Sequence, residues 1–140
     1  MEEPSNRLKC EIVTPEGLLV SEDVATVIVP GAEGELGILP RHAPIVSKTK
    51  IGTVSVKHLN GDSWERIAVG NGYVKMQFDR LLLLVDTAER ASAIDIERAQ
   101  QALNRAEKYL AGPAEPDIDM HRAEQSRRRA LNRLKTAGVE

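Results

Sequence analysis

Four arginines toward the C-terminus, Arg98, Arg105, Arg129 and Arg133, are the side chains whose spacing comes nearest to a binding site. Arg98 and Arg105 lie seven positions apart and Arg129 and Arg133 four apart, so each pair shares a face if its segment is helical. Two such helices side by side would form a cationic pocket suited to a phosphate chain, because guanidinium forks bind phosphate oxygens bidentately. The competing reading is a solvated face on which Glu97, Glu107 and Glu124 offset the same charges. Residue types alone favour that second reading.

Catalytic constellations are hard to find elsewhere. His42, His58 and His121 fall in different segments without metal-ligand spacing, and Cys10 is the single cysteine, so no metal site is expected. The histidines read as isolated surface or turn residues. There is no Gly-x-Ser-x-Gly elbow and no glycine-rich phosphate loop ending in Lys-Ser/Thr. No catalytic residue is assigned.

The segment Gly31-Ala32-Glu33-Gly34-Glu35-Leu36-Gly37-Ile38-Leu39-Pro40-Arg41-His42-Ala43-Pro44 is unusual in its glycines and prolines. It reads as a rigid connection that exposes Glu33, Glu35, Arg41 and His42 together. Such loops often present contact residues, though plain solvation would look the same in sequence. Physics alone does not choose between the two.

The elements that must position these residues change character near Glu89. Before it, Leu8, Cys10 and Ile12 alternate with Lys9 and Glu11, as in a half-buried strand. Pro15-Glu16-Gly17 is a turn, a short run covers residues 18–20, and Ala25-Thr26-Val27-Ile28-Val29 stops at Pro30-Gly31. Val54 and Val56 lead to Asn60-Gly61, a hairpin signal, with residues 64–69 returning. Gly70-Asn71-Gly72 breaks to Tyr73-Val74-Lys75-Met76, and residues 81–85 close the set. Many short strands with close turns indicate an antiparallel sandwich or barrel.

Beyond Glu89, Ala, Arg, Glu and Gln dominate, as in helices. Ser92 and Asp95 resemble a capping box. Ala99, Ala102, Leu103, Ala106 and Leu110 make one stripe, and Gly112-Pro113 ends that helix. Pro116-Asp117 to Asp119 supplies a turn and a new N-cap, followed by Ala123, Ala130, Leu134 and Ala137 on one face. The fold class is therefore α+β: an N-terminal antiparallel β-sandwich or barrel over 1–88, then a two-helix antiparallel hairpin over 89–140. The Ala-rich stripes bury little apolar area, at about 0.8 kcal/mol per CH₂. A hairpin so held should be marginal alone and able to dock in more than one place.

Bulk properties bound the function. The 140 residues are 41% hydrophobic and 29% charged, as in a soluble globular protein. Aromatics are only 3%, so the core must come from Val, Ile, Leu and Ala. A net charge of −2 argues against nucleic acid, whose binding needs an excess of cations on one face. No apolar run approaches the roughly 20 residues of a membrane span, and Met1-Glu2-Glu3-Pro4 has no signal-peptide character. A lone cysteine fits a reducing cytoplasm. Any membrane association is expected to run through partner proteins.

The run Gly34-Glu35-Leu36-Gly37-Ile38-Leu39-Pro40-Arg41-His42-Ala43-Pro44, followed by Asp86-Thr87-Ala88-Glu89-Arg90 and the Ala/Arg-rich hairpin, resembles the epsilon subunit family of F-type ATP synthases. The resemblance covers essentially the whole chain in order. It implies a non-catalytic subunit of the central stalk, bound to gamma and seated on the ring of c subunits at the cytoplasmic face of a bacterial plasma membrane. It implies that the segment holding Glu35, Leu36, Arg41 and His42 faces that ring. It also implies C-terminal helices that either fold against the sandwich or extend toward the alpha and beta subunits, where they block hydrolysis. Some members bind ATP on the folded hairpin through Ile-Asp-x-x-Arg-Ala, which reads here Ile94-Asp95-Ile96-Glu97-Arg98-Ala99. By the same resemblance Glu89, Arg105, Arg129 and Arg133 complete that site, which reverses the preference for a merely solvated face. ATP is then a regulatory ligand, and no cofactor is required.

Overall fold

Alternation along β1 (Leu8–Thr14) puts Leu8, Cys10 and Ile12 fully inside while Lys9 and Glu11 stay half-buried. The computed structural model to which this strand belongs describes residues 6–112 and 119–139. It divides into two units, with the division between Arg90 and Ala91.

The described residues of the first unit form nine strands: β1, β2 (Gly17–Gly31), β3 (Gly34–Ile38), β4 (Ile45–Thr49), β5 (Gly52–His58), β6 (Trp64–Val69), β7 (Gly72–Gln77), β8 (Arg80–Val85) and β9 (Ala88–Arg90). The two runs expected at 18–20 and 25–29 are one 15-residue strand, β2, with no Gly or Pro between them to break it. Its first half pairs with β1 and its second half with β5 and β3. The β5 register shifts between Val24 and Thr26, an irregularity that bends a strand and lets β2 serve both layers of a sandwich. Hydrogen bonding runs β1-β8-β7-β4-β2 and returns to β1, so this part of the sheet closes on itself.

The pairing is antiparallel with one exception among the described strands. β1 runs parallel to β8, with Lys9 opposite Arg80 and Val13 opposite Leu84. Sequence periodicity reports which side chains point inward and carries no information on strand direction, so this departure from the expected antiparallel order was not readable. The β5–β6 hairpin forms where Asn60-Gly61 predicts it, although Lys57 and Trp64 are the last paired residues and the connection is longer than two residues.

The core is aliphatic. Leu8, Ile12, Val27, Val29, Ile38, Val54, Val56, Ile67, Val74, Leu81 and Leu83 pack with Cys10 and Met76. All four aromatic residues, Trp64, Tyr73, Phe78 and Tyr109, are exposed. Close approach fixes Gly72 between β7 and β8, because a Cβ there would stand 1.9 Å from the Leu84 carbonyl oxygen.

The expected boundary at residue 88 falls two residues early. β9 pairs with β6, Ala68 opposite Glu89 and Ile67 opposite Arg90, so the sheet continues through Arg90. A charged ring fastens this short strand. Arg90 Nη2 donates to Glu22 Oε1 at 3.0 Å and Nη1 to Glu65, while His58 Nε2 lies 3.1 Å from the other Glu65 oxygen and Nδ1 3.5 Å from Glu22. Hydrogen bonds to Glu65 first and Glu22 second raise the Arg90 pKa further above its ordinary value. His58 is therefore part of a network across β2, β5, β6 and β9 rather than an isolated surface residue.

In the second unit, α1 (Ile96–Ala111) and α2 (Met120–Thr136) each begin at an aspartate N-cap. Asp95 Oδ1 accepts from Arg98 N and Asp119 Oδ1 from Arg122 N, both at 3.0 Å. Ser92 lies in a preceding 3₁₀ turn, so Asp95 itself caps α1 instead of closing a box begun by Ser92. After α2, Val139 N donates to Leu134 O and Gly138 N to Lys135 O, with Gly138 at φ 90°, a Schellman ending. Ala137 is the C-cap, and Thr136 is buried in its place. Of the turn expected at Pro116-Asp117 to Asp119, Asp119 is the α2 cap and the rest lies outside the described residues. Ala99, Leu103, Ala130 and Leu134 form the seam between the helices, with Ala102 and Val139 beside it. Among the described residues, two leucines and two alanines make up this small core.

Candidate functional site

Because Ala99 and Leu103 pack with Leu134 and Ala130, α1 and α2 run antiparallel, and the start of α2 lies against the end of α1. There the two helices leave a groove of about 390 Å³, lined by Ala102, Arg105, Ala106 and Tyr109 from α1 and Asp119, Arg122, Ala123 and Ser126 from α2. Each set is spaced i, i+3, i+4, i+7, the rows that share one helix face. The alanines are why the groove exists: they leave room where larger side chains would fill the seam. Small-molecule sites begin at about 300 Å³, so the volume is sufficient for a ligand of that class.

The groove gathers part of the expected set. Arg105 is in its wall, and Arg129 adjoins it by donating from Nη2 to Ser126 Oγ at 3.2 Å. Arg122 is a lining cation that spacing arguments did not single out. The signal was present, since Arg122 and Arg129 are seven apart, but the nearer four-residue pair with Arg133 masked it. Guanidinium groups from both helices, a hydroxyl and the Tyr109 ring could hold phosphate oxygens and a flat ring. Asp119 opposes an anion there, although its Oδ1 is engaged as the α2 cap.

The other expected residues are placed elsewhere. Arg98 is exposed on the first turn of α1, and Arg133 is half-buried near the end of α2. Neither lines the groove. Asp95 is the α1 cap, Ala99 is fully buried in the helix seam, and Ile94 is buried. Glu89 belongs to β9 in the first unit.

The second candidate site is the segment of residues 31–44, expected to be a rigid connection between strands. Its middle, Gly34–Ile38, is β3, paired with β2 from Gly31 opposite Gly34 to Val27 opposite Ile38, and Thr26 Oγ1 donates to Ile38 O at 2.7 Å. Glycines made the strand look like loop. Glu33 and Glu35 therefore sit at the turn end of β3, while Arg41 and His42 lie past its other end, so the four are not presented together. Glu35 and Arg41 are exposed, Leu36 packs against the sandwich core, and His42 Nδ1 lies 2.6 Å from Ala43 O.

Leu39-Pro40-Arg41-His42 is a tight turn in which His42 N donates to Leu39 O at 3.1 Å and Arg41 has φ 64°. It touches a second turn: Asp79 Oδ1 accepts from Arg41 N at 2.6 Å. Phe78 and Asp79, at φ 51° and 59°, form the two-residue link between Gln77 and Arg80. Left-handed backbone costs a non-glycine residue about 1–2 kcal/mol.

Among the described residues, no cluster of His, Cys, Asp or Glu is arranged to hold a metal ion, and no helix is long and apolar enough to cross a membrane.

An all-β sandwich followed by a separate two-helix unit defines a two-part chain of beta-sandwich and long-helix type. Family models match both parts: "ATP synthase, Delta/Epsilon chain, beta-sandwich domain" over residues 7–91 and "ATP synthase, Delta/Epsilon chain, long alpha-helix domain" over 92–138. The chain belongs to the ATP synthase delta/epsilon chain family. It is 46% identical to the ATP synthase epsilon chain of Desulforamulus reducens over 129 residues, 92% of this chain and 96% of that one. It is 43% identical to the corresponding chain of Moorella thermoacetica over 132 residues, 94% and 97% of the two. These relatives are an accessory subunit of the synthase rather than its catalytic one. In fold it is similar to a chain in the Euglena gracilis mitochondrial ATP synthase OSCP/F1/c-ring structure, with TM-score 0.79, 20% identity, and 97% and 84% of the chains covered. A chain of the Tetrahymena thermophila central stalk/c-ring structure gives 0.60 at 13% identity, covering 97% and 99%.

Proposed function

We propose that the chain is a rotating central-stalk subunit of an F-type ATP synthase whose C-terminal helices restrain ATP hydrolysis and respond to ATP. The carrying observation is the unbroken relation to epsilon chains across both units, together with a helical unit held by a very small seam. The sandwich binds gamma and sits on the ring of c subunits through residues 35–42. The assembly is peripheral to the cytoplasmic face of the plasma membrane, attached through those partners. The helices alternate between a hairpin and an extended state that meets the alpha and beta subunits.

ATP joins the two helices across the groove, its phosphates meeting Arg105, Arg122 and Arg129. A ligand that favours the hairpin shifts the balance only by its differential affinity for the two states. The test is hydrolysis by the assembled complex carrying either the full chain or one ending at Arg90, where the sheet is complete. A clear rise on truncation is expected; unchanged hydrolysis would reject the inhibitory role. Calorimetry of the full chain at millimolar ATP addresses sensing. Heat is expected with the parent chain and a loss of about tenfold or more in affinity with Arg129→Ala, as for a charge-assisted contact. Absence of heat would reject the sensor.

A further inference from the structure

The non-glycine residues with left-handed backbone among the described residues are Arg41, Phe78 and Asp79, and all three meet at one place. Two turns from distant parts of the chain, 39–42 and 78–79, are fastened there by the Arg41 N–H bond to Asp79 Oδ1. A two-residue turn of this hand ordinarily takes Asn-Gly. This chain instead carries its one phenylalanine, whose side chain is 84% exposed. The ring gains no burial, and the backbone is strained to present it. Leu39, on the joined turn, is also largely exposed, at 61%. Strain kept at an exposed point, where the free fold gains nothing from it, points to a use outside the free chain.

We infer that the joined turns form a single contact tip, with Phe78 as its apolar anchor, directed at the ring of c subunits. The inference rests on the reading above that residues 35–42 face that ring, and it moves the energetic centre of the contact onto a segment outside that run. Asp79 is the positioning residue: its carboxylate holds Arg41 beside the anchor. Arg41, tied to Asp79 through its N–H, and Arg80, next in the chain after Asp79, are both exposed. The fitting partner surface is therefore an apolar notch rimmed by carboxylates or carbonyl oxygens, with the aromatic side chain as the buried centre. A lipid surface fits less well. One phenylalanine and one leucine beside an aspartate lack the broad apolar face and polybasic patch that interfacial anchoring uses.

The test titrates the full-length chain against c rings in nanodiscs of zwitterionic lipid, with melting temperature measured in parallel. Phe78→Asn suits the left-handed backbone, so the melting temperature should hold or rise while ring affinity falls about tenfold or more. Phe78→Leu, apolar in the same backbone state, should keep most of the affinity. If Arg41→Ala weakens ring binding and Phe78→Asn does not, the 35–42 reading stands and the anchor is overturned. If neither variant weakens it, both fall. A drop of many degrees in melting temperature for Phe78→Asn would make the residue structural and overturn the proposal. So would binding of the parent chain to anionic vesicles without a ring, lost in Phe78→Asn, because the partner would then be lipid.

Discussion

Burial raises the pKa of the Cys10 thiol from an ordinary 9.0 to about 12, and the charges of Glu22 and Glu11 add to the effect. The unfolded chain therefore releases this proton near pH 9, whereas the folded chain keeps it until about pH 12. Above pH 9 the unfolded state binds fewer protons, so stability falls with rising pH by up to about 1.4 kcal/mol per unit. Below pH 9 the contribution is fully present. Urea unfolding between about pH 9 and 10.5 should show a steeper decline for the parent chain than for Cys10→Ala. Parallel declines would contradict this. Asp95 raises a different question, because it caps α1 and also stands in the Ile-Asp-x-x-Arg-Ala motif. Replacing a cap by alanine costs about 1 kcal/mol, whereas asparagine keeps the cap and removes the charge. If Asp95 acts only as a cap, Asp95→Asn should bind ATP like the parent chain, and Asp95→Ala should lower helicity at 222 nm.

β9 is three residues long, and a strand so short adds little pairing of its own. The bridge from Arg90 to Glu22 and Glu65 joins it to β2 and β6. Because these side chains are partly solvated, the contribution is on the order of 1 kcal/mol. Arg90→Ala should therefore leave the sandwich folded but speed amide exchange of Ala68 and Glu89, which face each other across the β6–β9 pairing. Unchanged exchange would show the backbone ladder to be sufficient. Which elements were legible in sequence follows from similar local physics. β1, β5 and β7 alternate cleanly, and both helices repeat alanine and leucine at helical spacing, so their existence could be read directly. β3 was hidden by three glycine positions from 31 to 37 that look like loop, although Leu36 and Ile38 turn inward. The Phe78-Asp79 turn was hidden by the opposite cause: it lacks the Asn or Gly that marks such links. Of the groove, Arg105 and Arg129 were legible because charge and spacing agree. Arg122 was passed over although it stands seven residues before Arg129, because the nearer pair of Arg129 and Arg133 took the spacing argument.

For the whole molecule, the division at Arg90 separates a closed aliphatic core from a helical unit whose seam holds few side chains. The two should differ widely in stability. Leu103→Ala removes one of the two seam leucines, and large-to-small changes of this kind cost about 2–5 kcal/mol when fully enclosed. In so small a seam, the loss should melt the helices while leaving the sandwich transition in place, visible as reduced 222 nm signal with an unchanged main unfolding step. A shift of both together would mean that the units unfold as one. The parallel pairing of β1 with β8 carries a further consequence for synthesis. The first of the described strands finds its second neighbour only after residues 80–84 have left the ribosome. Until then one margin of β1 is bare, in a region where unpaired backbone invites association with other nascent chains. A translation product halted short of Val85 should thus be a substrate for chaperones, whereas one released after Arg90 carries all the described strands.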